Sequence, residues 1–144
     1  MSTFTLIAGM LFVAIALIAG NVTIGLEAQE QQDAIVYAQH IEAYGGFVAG
    51  YARSNPTATG SIADATAGVP TWFTRFPAVA NVVSAGKAYA WFVPANQAQG
   101  FAIARSARPF VAGVKIAGRL QPPGEPVGQV LPSSIPDGAL VVVR

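Results

Sequence analysis

At 144 residues the chain is sized for one domain rather than two. Only 10% of its residues are charged, against about 25% in an ordinary soluble domain, and 53% are hydrophobic. A net charge of +1, eight scattered basic residues and no cysteine exclude the concentrated positive surface of a nucleic-acid binder, disulfides, thiolate metal sites and a cysteine nucleophile.

The missing charge is concentrated at the start. No charged side chain precedes Glu27. Residues 4–24 read FTLIAGMLFVAIALIAGNVTI, which matches the roughly 20 residues needed to cross a hydrocarbon core. Eleven of them are Leu, Ile, Val or Phe, favouring insertion by roughly 3–7 kcal/mol before the polar offsets of Thr5, Asn21 and Thr23. Met1-Ser2-Thr3 lacks the Lys or Arg of a signal-peptide n-region, and the apolar stretch is longer than such peptides carry. The segment therefore reads as an uncleaved anchor. Lys and Arg are absent from both flanks, so only the α-amine favours an inside N-terminus with the following chain outside the cytoplasm. Ala8, Gly9, Ala14, Ala16, Ala19 and Gly20 are small enough to let a second membrane helix approach. That leaves a homo-oligomer open.

The helical pattern continues beyond the anchor, with no proline from Leu26 to Tyr51. Tyr37, Ile41, Tyr44, Val48 and Tyr51 recur at steps of four and three, which puts them on one face. That face either packs on the rest of the chain or meets a lateral partner, since tyrosine suits both. Ser54 to Pro70 is small, polar and turn-rich, a loop. Thr71 reads as the cap of a short helix ending before Pro77, and Pro77–Ala85 as a second. Lys87–Val93 has strand character, Asn96–Gly100 turn character, and Phe101–Ala107 alternates like another strand, giving a candidate hairpin. Val111–Leu120 is a weaker element interrupted by Gly113 and Gly118, and Ala139–Val143 is a terminal strand. The expected class is α+β: an N-terminal transmembrane helix (1–26), an amphipathic helix packing on the external domain (27–53), and a small external domain with a mostly antiparallel sheet (54–144).

Chemistry is harder to find. His40 is the one histidine, lacks partners in helical register and reads as a solvated helix residue. Gly60-Ser61-Ile62-Ala63-Asp64 lacks the second glycine of a nucleophile elbow. Asp64, Glu125 and Asp137 fall in expected turns, where carboxylates are ordinarily solvated. Arg105, Arg108, Lys115 and Arg119 could line one strand pair with a basic edge. No catalytic, cofactor-binding or metal residue is nominated, so the expectation is a protein without enzymatic activity.

The order of parts resembles a known family. An uncharged anchor from residue 4, a Gln/Glu-rich helix (LEAQEQQDAIVYAQHIEAY) and a strand-rich domain ending in LPSSIPDGALVVV look like the PilM proteins of type IVb thin-pilus systems, found on conjugative plasmids and in related bacterial clusters. These are distinct from the actin-like protein that shares the name in type IVa systems. The resemblance covers most of the chain. It implies a non-catalytic inner-membrane component of the pilus assembly apparatus or basal body, single-pass, with its C-terminal domain in the periplasm and other assembly proteins as partners. It carries over no site residue and no cofactor. The alternative is a minor pilin, because Phe4-Thr5-Leu6-Ile7 is similar to the start of a mature type IV pilin. Against that, Thr3 replaces the Gly expected by the prepilin peptidase, and Ala8 replaces the Glu that registers neighbouring subunits.

Overall fold

The computed structural model describes residues 29, 31–107 and 111–144. The expected anchor, residues 4–24, and Arg108 lie outside the described residues. Among the described residues, no helix is long and apolar enough to cross a membrane. The chain divides into two compact units, Met1–Asp33 and Ala34–Arg144. Everything below concerns the second, which joins residues 34–53 and the sheet in one unit.

Helix α1 covers residues 31–54. Its buried positions Ala34, Ala38, Ile41, Tyr44, Val48 and Ala52 follow the 3.6-residue period. Small residues stand at both ends of this face, Ala34 and Ala38 before the large Ile41 and Tyr44 and Ala52 after Val48. Its end is closed locally. Asn55 donates from both its backbone N–H (3.0 Å) and its side-chain amide (3.1 Å) to the Tyr51 carbonyl. Pro56 follows and cannot continue the helix.

Five strands follow: β1 (Ala80–Ser84), β2 (Lys87–Phe92), β3 (Val111–Ile116), β4 (Arg119–Gln121) and β5 (Leu140–Val143), with helix α2 (Gln97–Ser106) between β2 and β3. They form one sheet in the order β1-β2-β5-β3-β4, every neighbouring pair antiparallel. Both β2 and β3 oppose β5, so they run parallel to each other. The crossover through α2 leaves the gap that the last strand fills. β5 is thus central, and Leu140, Val141 and Val142 are fully buried. A continuous apolar run suits a strand covered on both faces.

Two hairpins share one turn chemistry. Ala85-Gly86 joins β1 to β2 and Ala117-Gly118 joins β3 to β4, with φ of 50° and 72° in the first and 48° and 77° in the second. Two successive left-handed residues match the type I′ turn, whose twist suits antiparallel strands.

The sheet faces have different covers. Helix α1, α2 and the 58–76 loops cover one face, burying Val83, Ala88, Ala90, Phe92, Ala112, Leu140 and Val142. The irregular segment carrying Leu131, Ile135 and Ala139 covers the other, over Val82, Tyr89, Leu120 and Val141. Both outer strands are also occupied at their edges. Gly60 exchanges backbone hydrogen bonds with Val83 (2.9 and 2.8 Å). Along β4, Leu120 donates to Gln129 O (3.0 Å) and Gly128 donates to Leu120 O (2.7 Å). Neither edge is a free template for another strand.

Four local expectations are corrected. Residues 97–106 form α2, not a turn and strand. Asn96 accepts from Gln99 N (2.8 Å), and the Gln99 side chain accepts from Ala95 N (2.9 Å), a reciprocal cap that starts a helix. The buried residues are then Gly100, Ile103, Ala104 and Ala107, at helical spacing. Residues 71–79 are turns and irregular chain, and 80–84 is strand rather than helix. Val111–Leu120 is a hairpin, because Gly118 turns the chain. Gly113 does not interrupt β3: a Cβ there would lie 2.4 Å from Gln121 O, so glycine is what lets the two backbones approach. Finally, Arg105 sits in the last turn of α2, Lys115 is buried and Arg119 is exposed on β4, so they do not form one basic strand edge.

Candidate functional site

The helical face singled out from sequence is divided by the fold. Ile41, Tyr44 and Val48 are completely buried. Tyr37 is partly buried, stacked on Phe92 of β2 (centroids 5.5 Å apart) and edge-on to Phe76 (5.2 Å). Tyr51 is partly buried but outside the core cluster. The three fully buried residues therefore pack within the chain and are closed to any partner.

Tyr44 anchors a polar network between α1, the 60–79 segment and β1. Its hydroxyl donates to Asp64 Oδ1 (2.8 Å) and accepts from Asn81 Nδ2 (2.6 Å). The Asn81 amide also donates to Ile62 O (2.8 Å), and its oxygen accepts from Ile62 N (2.8 Å), so a side chain completes what a strand neighbour would supply. Arg75 Nε donates to Asp64 Oδ2 (2.9 Å), and its guanidinium also donates to the Val79 carbonyl. The guanidinium carbon lies 5.5 Å from the Tyr44 ring centre. Burial, with help from the neighbouring Asp64 charge, pushes the Tyr44 hydroxyl up to about 12. Burial also opposes charge on Asp64, but hydrogen bonds from Tyr44 and Arg75 and the guanidinium charge outweigh it and hold the carboxyl below its ordinary value. Asp64 is thus a bound carboxylate, not the solvated turn residue expected from sequence. An open groove of about 490 Å³ lies over Ser61, Asp64, Arg75 and Asn81. Asp64 and Asn81 are already committed to protein partners there, so the groove's polar floor is structural.

His40 is likewise not a solvated helix residue. Its Nε2 accepts from the Phe76 backbone N–H (3.0 Å), and its ring stacks on Phe76 (3.6 Å) and Phe73 (4.8 Å). Accepting at Nε2 requires the neutral ring, and burial lowers its pKa in the same sense. Phe73 also meets Tyr44 (6.4 Å), Phe47 (5.4 Å) and Trp72 (6.1 Å). One aromatic cluster thus ties the 72–76 segment to α1, while Trp72 itself remains 77% exposed.

On the opposite face, Lys115 is only 4% exposed. Its ammonium donates to Ile135 O (2.5 Å) and Pro132 O (3.1 Å), with Asp137 Oδ1 3.9 Å away. Asp137 in turn accepts from Gly118 N (3.1 Å). Lys115 and Asp137 together pin the 132–138 segment onto the sheet.

Sequence reading missed Asn81, Arg75 and Lys115. Lys115 had one available signal: it shares the alternation of β3 with Gly113, on the face that the 131–139 segment covers. Asn81 and Arg75 had none: Asn81 meets Ile62 and Tyr44, and Arg75 meets the Asp64 carboxylate and the Val79 carbonyl, partners that only the folded 60–79 segment brings to them. Among the described residues, no group of three or more His, Asp or Glu could hold a metal ion. The described polar residues with the most partners act on the fold itself.

This arrangement, a helix and loops over one face of a five-stranded antiparallel sheet and a lysine-pinned segment over the other, defines an α+β domain of a fold already seen in crystals. A PilM protein from Escherichia coli B7A superposes with a TM-score of 0.57 at 19% identity, covering 81% of this chain and 94% of that one. A pilM protein from Pseudomonas aeruginosa 2192 is 28% identical, with a TM-score of 0.48 over 76% of this chain and 92% of that one. No curated protein matches the sequence. The chain matches the PilM family over residues 10–143 and belongs to it. Membership points to a pilus-related function.

Proposed function

We propose that this protein is a non-catalytic inner-membrane component of a type IVb pilus assembly apparatus or basal body. Residues 4–24 anchor it in a single pass, the C-terminal domain stands in the periplasm, and it works through contacts with other assembly proteins. The family match over residues 10–143 carries this reading. The uncharged span of about 20 residues supports the anchor. The engagement of Asp64, Arg75, Asn81 and Lys115 in holding loops supports a role other than catalysis.

An in-frame deletion in the native host tests it. Pili should be lost and restored by the intact gene. The folded domain should be cut by protease in spheroplasts but not in intact cells. Normal piliation without the gene, or a domain protected in spheroplasts, would contradict the proposal. The second reading, a minor pilin, rests on Phe4-Thr5-Leu6-Ile7 and is opposed by Thr3 and Ala8.

A further inference from the structure

Helix α1 has two faces, and the chain itself accounts for only one of them. A surface helix ordinarily turns charged side chains outward. On α1 the exposed positions away from the sheet include Gln32, Val36, Gln39, Ala43 and Gly50. Their steps of four, three, four and seven make one straight seam. None of the five is charged. Glu42 is the one charged residue between Asp33 and Arg53, and it lies off the seam, partly buried beside Arg144. Large apolar side chains are exposed along the same seam. Val36 is 52% exposed. Trp72, 77% exposed, sits against Phe73, whose ring meets His40 (4.8 Å) and Phe47 (5.4 Å) along one edge of it.

Two glycines on this side of the helix answer to nothing inside the chain. Neither Gly46 nor Gly50 has a positive φ. A Cβ at Gly50 would meet nothing within 4 Å, and one at Gly46 only the tip of the Arg144 side chain at 3.9 Å. Alanine at either position would favour the helix more. Glycine on an outward helical face is explained by the close approach of a second backbone. The two edges of the seam also differ in shape. At 3.6 residues per turn, Val36 and Phe47 fall to one side of Ala43, and Gly46 and Gly50 to the other. Trp72 raises the first side further. In two parallel copies related by a two-fold axis along the seam, the Val36–Phe47–Trp72 ridge of each lies against the Gly46–Gly50 furrow of the other. A seam without charge meets its own copy without repulsion.

We propose that a second copy of this chain docks on this seam, α1 against α1 in parallel. The direction rests on the proposed anchor. Residues 1–26 are uncharged and lie directly before the seam in sequence, so the anchor holds every copy by the same end in one membrane.

The chain has no cysteine, so disulfide trapping of the full-length protein in washed membranes of piliated cells tests the pair. Ala43→Cys should give a disulfide-linked dimer under mild oxidant, because the bond needs Cα atoms within about 7 Å. Val127→Cys, exposed on the loop after β4, should stay monomeric. Gly50→Leu fills the furrow where the chain leaves open space. Added to Ala43→Cys, it should keep the thermal midpoint and lower the dimer yield roughly tenfold. An undiminished yield would overturn the seam. A monomer from Ala43→Cys, or its trapping with a different protein, would overturn the second copy while leaving the assembly role standing. Absence of the protein from those membranes, with normal pili in the deletion strain, would overturn the assembly role and the parallel pair together.

Discussion

The two faces of the sheet are covered in different ways, and the difference follows from what each cover must satisfy. Helices α1 and α2 satisfy their own backbone, so they can meet the sheet mostly through apolar side chains such as Ala34, Ala38, Ile41, Val48 and Ile103. The irregular 131–139 segment has no such internal ladder. Its carbonyls would be buried unpaired, and Lys115 meets two of them from below. The helix face shows the same rule where its cover turns irregular: between residues 60 and 79 the backbone is held by Asn81 and Arg75. Buried polar side chains in this domain mark the places where loops, rather than helices, lie on the sheet.

That contrast can be broken from either side. Tyr44→Ala removes a fully buried aromatic and the hinge of the polar network, so it should cost about 3–5 kcal/mol in urea unfolding of the full-length chain in detergent. A midpoint that does not move would show that α1 is not part of the cooperative core. Lys115→Met keeps most of the volume but leaves two carbonyls unpaired, which should cost about 3 kcal/mol. Hydrogen exchange should then accelerate in 131–139 first. Because the two residues lie on opposite faces, the double variant should be additive within about 0.5 kcal/mol. Strong coupling between them would deny that the covers are independent.

The sequence was legible where one period dominated. The α1 face could be read because Ile41, Tyr44 and Val48 repeat helically over several turns, and β2 and β5 because KAYAWF and LVVV are dense in strand formers. Helix α2 was misread because Phe101, Ile103 and Arg105 also alternate, and ten residues carry too little signal to settle the period. The Asn96–Gln99 cap was the better cue. β1 was hidden in ANVVS, whose Asn81 looks like a strand breaker until Ile62 is seen pairing with it. No local pattern announces Asn81 or Arg75, because their partners, Ile62, Tyr44, Asp64 and Val79, come together only once the 60–79 segment has folded.

A smaller effect separates the faces by pH. His40 is held neutral in the fold, so the unfolded chain binds the extra proton, and stability falls as pH drops below the ordinary histidine value of about 6.5. Asp64, depressed in the fold, adds a second loss only as pH falls below the ordinary aspartate value near 3.8. Glu42, raised by burial despite Arg144, acts with opposite sign from its ordinary value near 4.5 upward. The first limb should therefore be read between pH 7 and 6. Losing the Phe76 hydrogen bond sets its size at about 1 kcal/mol. His40→Gln should flatten it. An unchanged slope would remove His40 from the helix-face cover.

The smallest effect is a gain. Ala85 and Ala117 adopt left-handed backbone that asparagine tolerates better. Ala85→Asn and Ala117→Asn should each stabilise by about 0.5–1 kcal/mol, raising the thermal midpoint to the same degree in both hairpins. A loss at either would contradict the shared type I′ geometry.

The most direct test of the proposed role is the partition of the protein between fibre and envelope. Pili are sheared from piliated cells, and the pili and washed membranes are probed with antibody to the domain. Retention in the membrane at full length is the expected result and places the protein in the assembly machinery. Recovery in the sheared fibres would contradict it and make the protein a pilus subunit.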